Sequence, residues 1–177
     1  MESAQKKDVP VVTVLDPKFK YEVAREPGGE NIKYCFQCGT CTSGCKVAEF
    51  DSKYNPRKII RMVILGMRER VLSGDFIWLC ATCYTCHERC PQDVRIPEVM
   101  NALKNIAVRE GYIHPAFRAQ AELIAGYGRL YEVDELANEK RTDWGLTEIP
   151  QGCPEVAEIY GITGLADLLS GGAGGKL

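Results

Sequence analysis

Between residues 55 and 74 the apolar residues recur every three or four positions, which is the spacing of an amphipathic helix. In this segment, "NPRKIIRMVILGMRERVLSG", Asn55 is a suitable N-cap, Pro56 suits the first helical position, and Ser73 and Gly74 supply a stop. The apolar face of this predicted helix consists of Ile60, Val63, Ile64, Met67 and Val71.

A second long helix is predicted in "IPEVMNALKNIAVREG", with Pro97 near its start and Gly111 after its end. Its apolar face consists of Val99, Leu103, Ile106 and Ala107. Two further helices are predicted, from about Asp75 into Cys83 with Phe76, Ile77 and Leu79 as apolar residues, and from Pro115 to about Ala125. The core is therefore expected to be mainly α-helical.

The two ends of the chain give weaker patterns. The β-branched segment Val9–Leu15 predicts a short N-terminal strand, which pairs with Tyr21–Ala24 or docks on the sheet edge of a partner. From Gly126 onward we expect a loop-rich extension with one short helix after Pro154, ending in a flexible tail. These patterns predict an arm at 1–30, a helical domain at 31–125 and a partner-binding extension at 126–177.

Composition indicates the compartment. Apolar residues make up 45% of the chain and charged residues 26%, as in ordinary soluble globular proteins. The chain has no apolar run of signal-peptide length, and no segment approaches the roughly 18 consecutive apolar residues of a membrane span. We therefore expect a soluble cytoplasmic protein. Because the cytosol keeps thiols reduced, its nine cysteines favour metal binding over disulfides.

Eight of the nine cysteines form two copies of the motif CxxCxxCxxxC, and Pro91 follows the second copy. A tetrahedral zinc site uses two CxxC pairs and has no need of a third cysteine two residues further on. Three cysteines at this spacing suit a [4Fe-4S] cluster, and the fourth ligates the neighbouring cluster. The spacing therefore assigns one cluster to Cys35, Cys38, Cys41 and Cys90, and the other to Cys80, Cys83, Cys86 and Cys45.

Other readings of these cysteines explain less. "CYTCH", Cys83 to His87, matches a c-type haem attachment signal, but haem attachment would leave Cys80 and Cys90 without a role. The runs lack the CxxxC-then-CxxC order of a radical-SAM site, and no βαβ pattern supports a dithiol redox site. We expect His87 to lie beside a cluster, facing solvent or donating a hydrogen bond. The isolated Cys153 is expected to be a buried small apolar residue.

Charge is distributed unevenly along the chain. Residues 46–79 carry seven basic and four acidic residues, a net charge of +3, whereas residues 111–177 carry five basic and ten acidic residues, a net charge of −5. Most of the basic residues are expected to form a solvated helix face, and any cation near an anionic cluster would raise its potential. The acidic C-terminal part argues against nucleic-acid binding.

The sequence contains no recognisable catalytic motif. It lacks a Rossmann glycine fingerprint, a P-loop and a defensible Ser/His/Asp arrangement, and it has only two histidines. We therefore expect a chain without an active site of its own. Two adjacent clusters instead predict one-electron transfer between centres in other subunits.

The two motifs, the "NPRKIIRMVILG" segment between them and "WLCATCYTCHERCP" resemble HdrC, the small iron-sulfur subunit of the heterodisulfide reductase of methanogenic archaea. The specific motifs that carry the resemblance lie within residues 30 to 120. The length of the whole chain and the order of its segments resemble those of this family as well. The resemblance implies an α-helical ferredoxin fold with two [4Fe-4S] clusters. It also implies two partners in a cytosolic complex. One is a flavin-bearing subunit, which bifurcates electrons from a hydrogenase or formate dehydrogenase, and the other is a catalytic subunit, which reduces the mixed disulfide of coenzymes M and B.

Related families share this helical two-cluster core. Succinate dehydrogenase subunits add a plant-type CxxxxCxxC domain in front, whereas residues 1–34 contain no cysteine. Glycolate and glycerol-phosphate oxidase subunits continue into CCG repeats, whereas only Cys153 follows Cys90. The alternatives are an electron-transfer subunit of a quinone-linked dehydrogenase or of a sulfur-metabolism complex. The alternative of a different class is a zinc-bound interaction module.

Overall fold

The computed structural model describes residues 14–170, and this range contains helices and no β-strand. It divides into two compact units, one ending at Tyr112 and one beginning at Ile113. The first contains α1 to α7, at Phe19–Val23, Thr40–Ser43, Lys46–Phe50, Pro56–Ile64, Arg68–Leu72, Thr85–Glu88 and Ile96–Arg109. The second contains α8 to α11, at Pro115–Tyr127, Glu135–Asp143, Pro154–Thr163 and Leu165–Ser170. In the described range no helix combines the length and the apolar character needed to cross a membrane.

The prediction of a mainly α-helical protein is confirmed, but the predicted N-terminal strand is not found. Residues 9–13 of that strand lie outside the described range. Of its proposed pairing segment, Tyr21–Ala24, the first three residues belong to α1 and Ala24 is the C-cap of that helix, so the pairing is wrong. Phe19 and Val23 are four residues apart and both fully buried, so they lie on one face of a helical turn that faces the core.

The helix predicted for residues 55–74 is two helices, α4 and α5, separated by Gly66. Its start is as predicted, since the Asn55 side chain accepts a hydrogen bond from the Lys58 backbone NH at 3.0 Å and Pro56 is the first helical residue. Gly66 has φ +78°, and its carbonyl accepts a hydrogen bond from the Asp16 NH at 2.7 Å. A Cβ atom at Gly66 would clash with the Asp16 carbonyl oxygen. This close approach of the N-terminal segment ends the first helix.

The segment after α5 forms a 3₁₀ helix at Asp75–Leu79 instead of a helix reaching Cys83. Ile77 and Trp78 are its buried residues. The backbone becomes extended at Cys80, with φ −62° and ψ 116°, so the second cysteine motif begins outside regular helix. Another 3₁₀ helix, Glu30–Tyr34, ends immediately before Cys35 in the same way.

The core of the first unit is formed by the buried faces of α4 and α7, its two longest helices, together with α1, α5 and the 3₁₀ helices that pack against them. All four residues predicted for the apolar face of α7 are buried, together with Ile96, Met100 and Ala102. Each large aliphatic side chain buried in this way contributes about 1.5 to 3 kcal/mol. At the edge of the core the Arg68 side chain binds the carboxylates of Glu22 and Glu110 and stacks 5.1 Å from the centre of the Phe19 ring. Arg68 thereby joins α1, α5 and the end of α7.

The second unit is helical, so the prediction of a loop-rich C-terminal extension is wrong. The helix predicted after Pro154 is present as α10, but α9 and α11 were not predicted. The Asp134 side chain caps α9 by accepting a hydrogen bond from the Ala137 NH at 2.7 Å. Tyr160 of α10 is buried, and its hydroxyl donates a hydrogen bond to the Ala121 carbonyl at 3.1 Å.

Replacing Gly66 with alanine is expected to destabilise the protein. The change forces a non-glycine residue into the left-handed region, which costs more than about 1 kcal/mol, and pushes a methyl group against the Asp16 backbone. Chemical denaturation of the anaerobic protein should give a lower midpoint. The matched control is Gly126→Ala within α8, where a Cβ meets no atom within 4 Å and should raise or preserve the midpoint. An unchanged midpoint for Gly66→Ala would contradict this account of the helix break.

Candidate metal centre

The two cysteine motifs adopt the same backbone conformation. In the first motif Gln37 and Gly39 have φ of +66° and +89°. In the second, Thr82 and Tyr84 at the equivalent positions have φ of +51° and +61°. Non-glycine residues rarely adopt positive φ, and each costs of order 1 to 3 kcal/mol. Three of the four such residues in the described range lie in these motifs, so the surroundings must hold both loops in a strained shape.

This conformation suits the binding of an anionic group. Residues that alternate between left-handed and other conformations direct successive backbone NH groups into one concave surface, and such concave surfaces bind phosphates and iron-sulfur clusters. Each loop leads into a one-turn helix that carries the third cysteine of its motif, Cys41 in α2 and Cys86 in α6. The helices α2 and α6 pack against each other. The two motifs therefore lie side by side.

The structure brings Cys90 to the first motif. One cavity is lined by all four cysteines assigned to the first cluster, Cys35, Cys38, Cys41 and Cys90. Ile60 and Val94 supply apolar walls, and Arg57 lines the same cavity. The fourth cysteine of the second motif is thus next to the three cysteines of the first motif. This placement is compatible with crossed ligation, which stays a prediction.

Cys45 lies near the cysteines of the second motif. Burial, followed by the negative charges of Cys80, Cys41 and Cys45, raises the pKa of the Cys86 thiol to about 12, so Cys86 has neighbouring cysteines from both motifs. Burial, followed by a hydrogen bond with Cys80, also raises the pKa of the Tyr54 hydroxyl, and Cys45 and Cys86 contribute to this rise. Tyr54 is therefore next to this second group of cysteines. No such contact joins Cys83 to the other three within the described residues, and Cys83 lies exposed at the surface.

Polar groups surround several of the sulfur atoms. The Gln37 side-chain amide donates a hydrogen bond to Cys35 Sγ at 3.3 Å, and the Val94 backbone NH donates one to Cys90 Sγ at 3.3 Å. The hydroxyl of Thr40 lies 3.3 Å from Cys38 Sγ, and that of Thr85 lies 3.6 Å from Cys83 Sγ. Hydrogen bonds of this kind stabilise thiolates and the sulfur atoms of iron-sulfur clusters.

The thiols within each motif differ in acidity. The Thr40 side chain, followed by its backbone NH, lowers the pKa of the exposed Cys38 thiol. The Thr85 backbone NH, followed by its side chain, lowers the pKa of the exposed Cys83 thiol. Burial raises the pKa of Cys41, the third cysteine of the first motif, as it does for Cys86 in the second. Each loop therefore has one exposed, acidic thiol and one half-buried, less acidic thiol.

His87 supplies a further sign that the chain accommodates a sulfur-rich group. Its Nδ1 is buried and has no hydrogen-bond partner among the described residues, while its Nε2 lies 3.4 Å from Asp93 Oδ1. The adjacent residue is Cys86. Within residues 14–170, no three Cys, His, Asp or Glu side chains are arranged as ligands of one metal ion. Cysteine sulfur donors, a backbone NH that donates to Cys90 Sγ and a buried imidazole nitrogen are groups that suit a [4Fe-4S] cluster.

Sequence reasoning missed several residues of this centre. Tyr54 precedes the helix N-cap and has no motif that marks it as a neighbour of cysteines. Thr40 and Thr85 occupy equivalent positions in the two motifs, so comparing the copies would have identified them. Cys153 lies in the other unit, partly exposed, and its thiol donates a hydrogen bond to Glu155 Oε2 at 3.1 Å. The prediction that Cys153 is buried is therefore wrong.

Comparisons with known proteins identify the family. A family profile described as a 4Fe-4S dicluster domain matches residues 31–94. The HdrC subunit of the H(2):CoB-CoM heterodisulfide,ferredoxin reductase of Methanothermobacter thermautotrophicus is 33% identical over 88% of this chain and 86% of its own length. The HdrC iron-sulfur subunit of the CoB--CoM heterodisulfide reductase of Methanopyrus kandleri is 36% identical over 77% of this chain and 74% of its own length.

A third relative agrees with these two. The HdrC subunit of the Ferredoxin:CoB-CoM heterodisulfide reductase of Methanosarcina mazei is 40% identical over 73% of this chain and 81% of its own length. The chain belongs to the HdrC family. As a member of this family it is an iron-sulfur subunit of an oxidoreductase, heterodisulfide reductase. The dicluster profile and the motif cysteines assign it two [4Fe-4S] clusters.

The difference in thiol acidity predicts a pattern of chemical modification in the cluster-free protein. Thiolates react with iodoacetamide and thiols do not, so Cys38 and Cys83 should be alkylated at lower pH and faster than Cys41 and Cys86. Mass spectrometry of peptides from briefly treated, still helical protein measures the four rates. Thr40→Val and Thr85→Val should each slow the reaction of the cysteine two residues earlier. In denaturant the four rates should become equal, and equal rates in the folded protein would contradict the assignment.

Proposed function

We propose that this chain relays electrons inside a heterodisulfide reductase complex, from a flavin-bearing subunit to the catalytic subunit that reduces the CoM-S-S-CoB heterodisulfide. The observation that carries this proposal is the cavity in which Cys90 joins the three cysteines of the first motif. It supports two clusters held side by side, which is the arrangement that an electron relay needs. The printed names of the relatives, which are reductases of CoB-CoM heterodisulfide, support the substrate of the complex.

The ligand sets proposed are crossed between the motifs. Cys35, Cys38 and Cys41 would hold the first cluster together with Cys90, and Cys80, Cys83 and Cys86 would hold the second together with Cys45. Each [4Fe-4S] cluster, when bound, accepts and releases one electron at a time. The packing of α2 against α6 keeps the two ligand sets next to each other. The apolar side chains of Ile60, Val94 and Ile96 restrict water around the first set.

The exposed cysteines offer two points of electron entry and exit. Cys38 and Cys83 are the exposed cysteines of the two motifs, so one ligand of each proposed cluster reaches the surface. Tyr34 and Phe36, each 60% exposed, are the sequence neighbours of Cys35, and Tyr84 is exposed beside Cys83. Exposed aromatic residues next to a redox ligand are suited to contact with a partner. One motif would face the electron donor and the other the acceptor.

The remaining parts of the chain would attach it to the complex. We propose residues 31–125 as the cluster domain, residues 1–30 as an arm and residues 126–177 as a partner-binding extension. Within these bounds, α1 of the arm packs in the core of the first unit, and α8 belongs to the second unit. The exposed Trp144 and Ile162 of the extension support a contact role. A hydrogenase or formate dehydrogenase would supply the electrons to the larger complex. The name of a relative from Methanococcus maripaludis, which belongs to an H(2)/formate:CoB-CoM heterodisulfide,ferredoxin reductase, includes both electron sources. The complex would be cytoplasmic.

Serine substitutions of the fourth cysteines test the crossed ligand sets. Cys90→Ser should alter the EPR signal that Cys38→Ser also alters, and Cys45→Ser should alter the signal that Cys83→Ser alters, because serine is a poor ligand for iron in these clusters. Iron content should fall from about eight per chain toward about four in each variant. Cys153→Ser is the matched control and should retain both signals. If Cys90→Ser altered the same signal as Cys83→Ser, ligation within each motif would replace the crossed sets.

The relay itself is tested by anaerobic reoxidation of the chain after reduction with dithionite. In the presence of the catalytic subunit together with the heterodisulfide, the visible absorbance of the oxidised clusters should return, because electrons leave through that subunit. Without the catalytic subunit the absorbance should stay bleached. Return of absorbance with a soluble quinone, and not with the heterodisulfide system, would contradict the proposal and favour a quinone-linked complex.

A further inference from the structure

Arg57 is the charged side chain that lines the cavity of the first ligand set. The side chain of Arg57 passes over the loop between Cys38 and Cys41. A Cβ atom built at Gly39 would lie 3.5 Å from Arg57 Cδ and 3.8 Å from its Nε. The Arg57 side chain therefore lies alongside Gly39, in the loop that is proposed to surround the cluster.

Hydrogen bonds fix the backbone of Arg57 relative to the first motif. The Arg57 NH donates to the Thr42 hydroxyl at 3.0 Å, and that hydroxyl donates to the Asn55 side-chain oxygen at 3.0 Å. Thr42 directly follows Cys41. The N-terminal turn of α4 is therefore attached to the helix that carries a cluster ligand. This attachment fixes the backbone of Arg57 beside the first motif, so the side chain starts from a point next to the cavity that it lines.

The charge of Arg57 is unusual for its position. The first turn of a helix carries partial positive charge, so acidic residues are favoured there and cations are not. The first turn of α4 contains Arg57 and Lys58 and no acidic residue. Among the ion pairs of residues 14–170 none involves Arg57, whereas Arg68, Arg95 and Arg109 each bind carboxylates. A negatively charged group in the adjacent cavity would compensate for this placement.

We propose that the positive charge of Arg57 raises the reduction potential of one cluster. This is the cluster held by Cys35, Cys38, Cys41 and Cys90. This inference rests on the ligand set given under the proposed function. Reduction adds one electron and one negative charge to the cluster, and it requires no proton from Arg57. A fixed positive charge nearby stabilises the more negative, reduced form. Arginine stays protonated at any pH at which the protein is folded, so the effect is present throughout.

The Arg57 side chain is exposed, so its influence depends on ionic strength. Dissolved salt screens charges at the protein surface, with a Debye length of about 30 Å at 0.01 M and about 10 Å at 0.1 M. The influence of Arg57 on the potential should therefore be larger in dilute buffer than in concentrated salt. A purely structural contribution of Arg57 to the shape of the cavity would not depend on salt in this way.

The test is a redox titration of the iron-loaded chain, followed by EPR, in wild type and in Arg57→Gln. The signal of the first cluster is the one that Cys38→Ser alters. In dilute buffer Arg57→Gln should make reduction of this cluster less favourable by about tenfold, which is about 59 mV for a one-electron couple. The reduction potential of the second cluster should change by only a small fraction of that shift. Arg57→Lys, which keeps the charge, should retain most of the wild-type potential.

Arg61→Gln is the matched control, since Arg61 is also exposed, lies one turn further along α4 and carries the same charge. It should change the first potential by much less than Arg57→Gln does, because Arg61 does not line the cavity. An unchanged first potential in an Arg57→Gln protein with full iron content would overturn the proposal, as would equal shifts for Arg57→Gln and Arg61→Gln. A fall of the first potential in Arg57→Lys as large as that in Arg57→Gln would also overturn it. These readings use the isolated chain, so failure of electron transfer to partner subunits is detected separately from failure of this inference.

Discussion

The structure depends on the convergence of sulfur atoms from two distant segments of the chain. Cys90 lies in the same cavity as Cys35, Cys38 and Cys41, although the whole of α3 to α6 separates it from them in sequence. Bringing these thiols together without a cation or cluster would place several potential negative charges in a small, partly buried volume. Metal binding offsets this cost, and the free energy of cluster binding then becomes free energy of folding. Cluster loss and unfolding should be linked for this reason.

The rest of the first unit serves to hold the converging loops. The apolar faces of α4 and α7, together with α1, α5 and the 3₁₀ helices, form a core in which the described residues include no buried polar or charged side chain. This core fixes the N-terminal turn of α4 beside α2, and the start of α7 close to Cys90. The loops themselves are strained at Gln37, Thr82 and Tyr84, which is tolerated where the surroundings determine the conformation. The rigid apolar core thus holds the strained, polar cysteine loops in the conformation that suits the binding of an anionic group.

The sequence predicted those features that are determined locally. The start of α4 followed from Asn55 and Pro56, and the buried face of α7 followed from its periodicity. The cysteine spacing led us to expect Cys90 beside the first motif because of the ligand rule of two-cluster ferredoxins, not because of a local pattern. Other features that depend on distant residues were not predictable. Gly66 breaks a helical pattern because Asp16 packs against it. The helix α9 has too few apolar residues for a clear helical pattern. It is stabilised instead by the Asp134 cap and by hydrogen bonds between the Asn138 side chain and the Ile149 backbone. The position of the Arg57 side chain over the first motif could likewise be identified only from the folded structure.

The measurement that tests the central claim most directly is an anaerobic crystal structure of the iron-loaded chain, with anomalous diffraction collected at the iron edge. The account predicts two groups of four iron atoms, one bounded by Cys35, Cys38, Cys41 and Cys90 and the other by Cys80, Cys83, Cys86 and Cys45. Iron bound by each motif separately, with Cys45 and Cys90 on their own motifs, would contradict the crossed arrangement. Single metal ions at the zinc edge in place of iron would contradict the role in electron transfer as well.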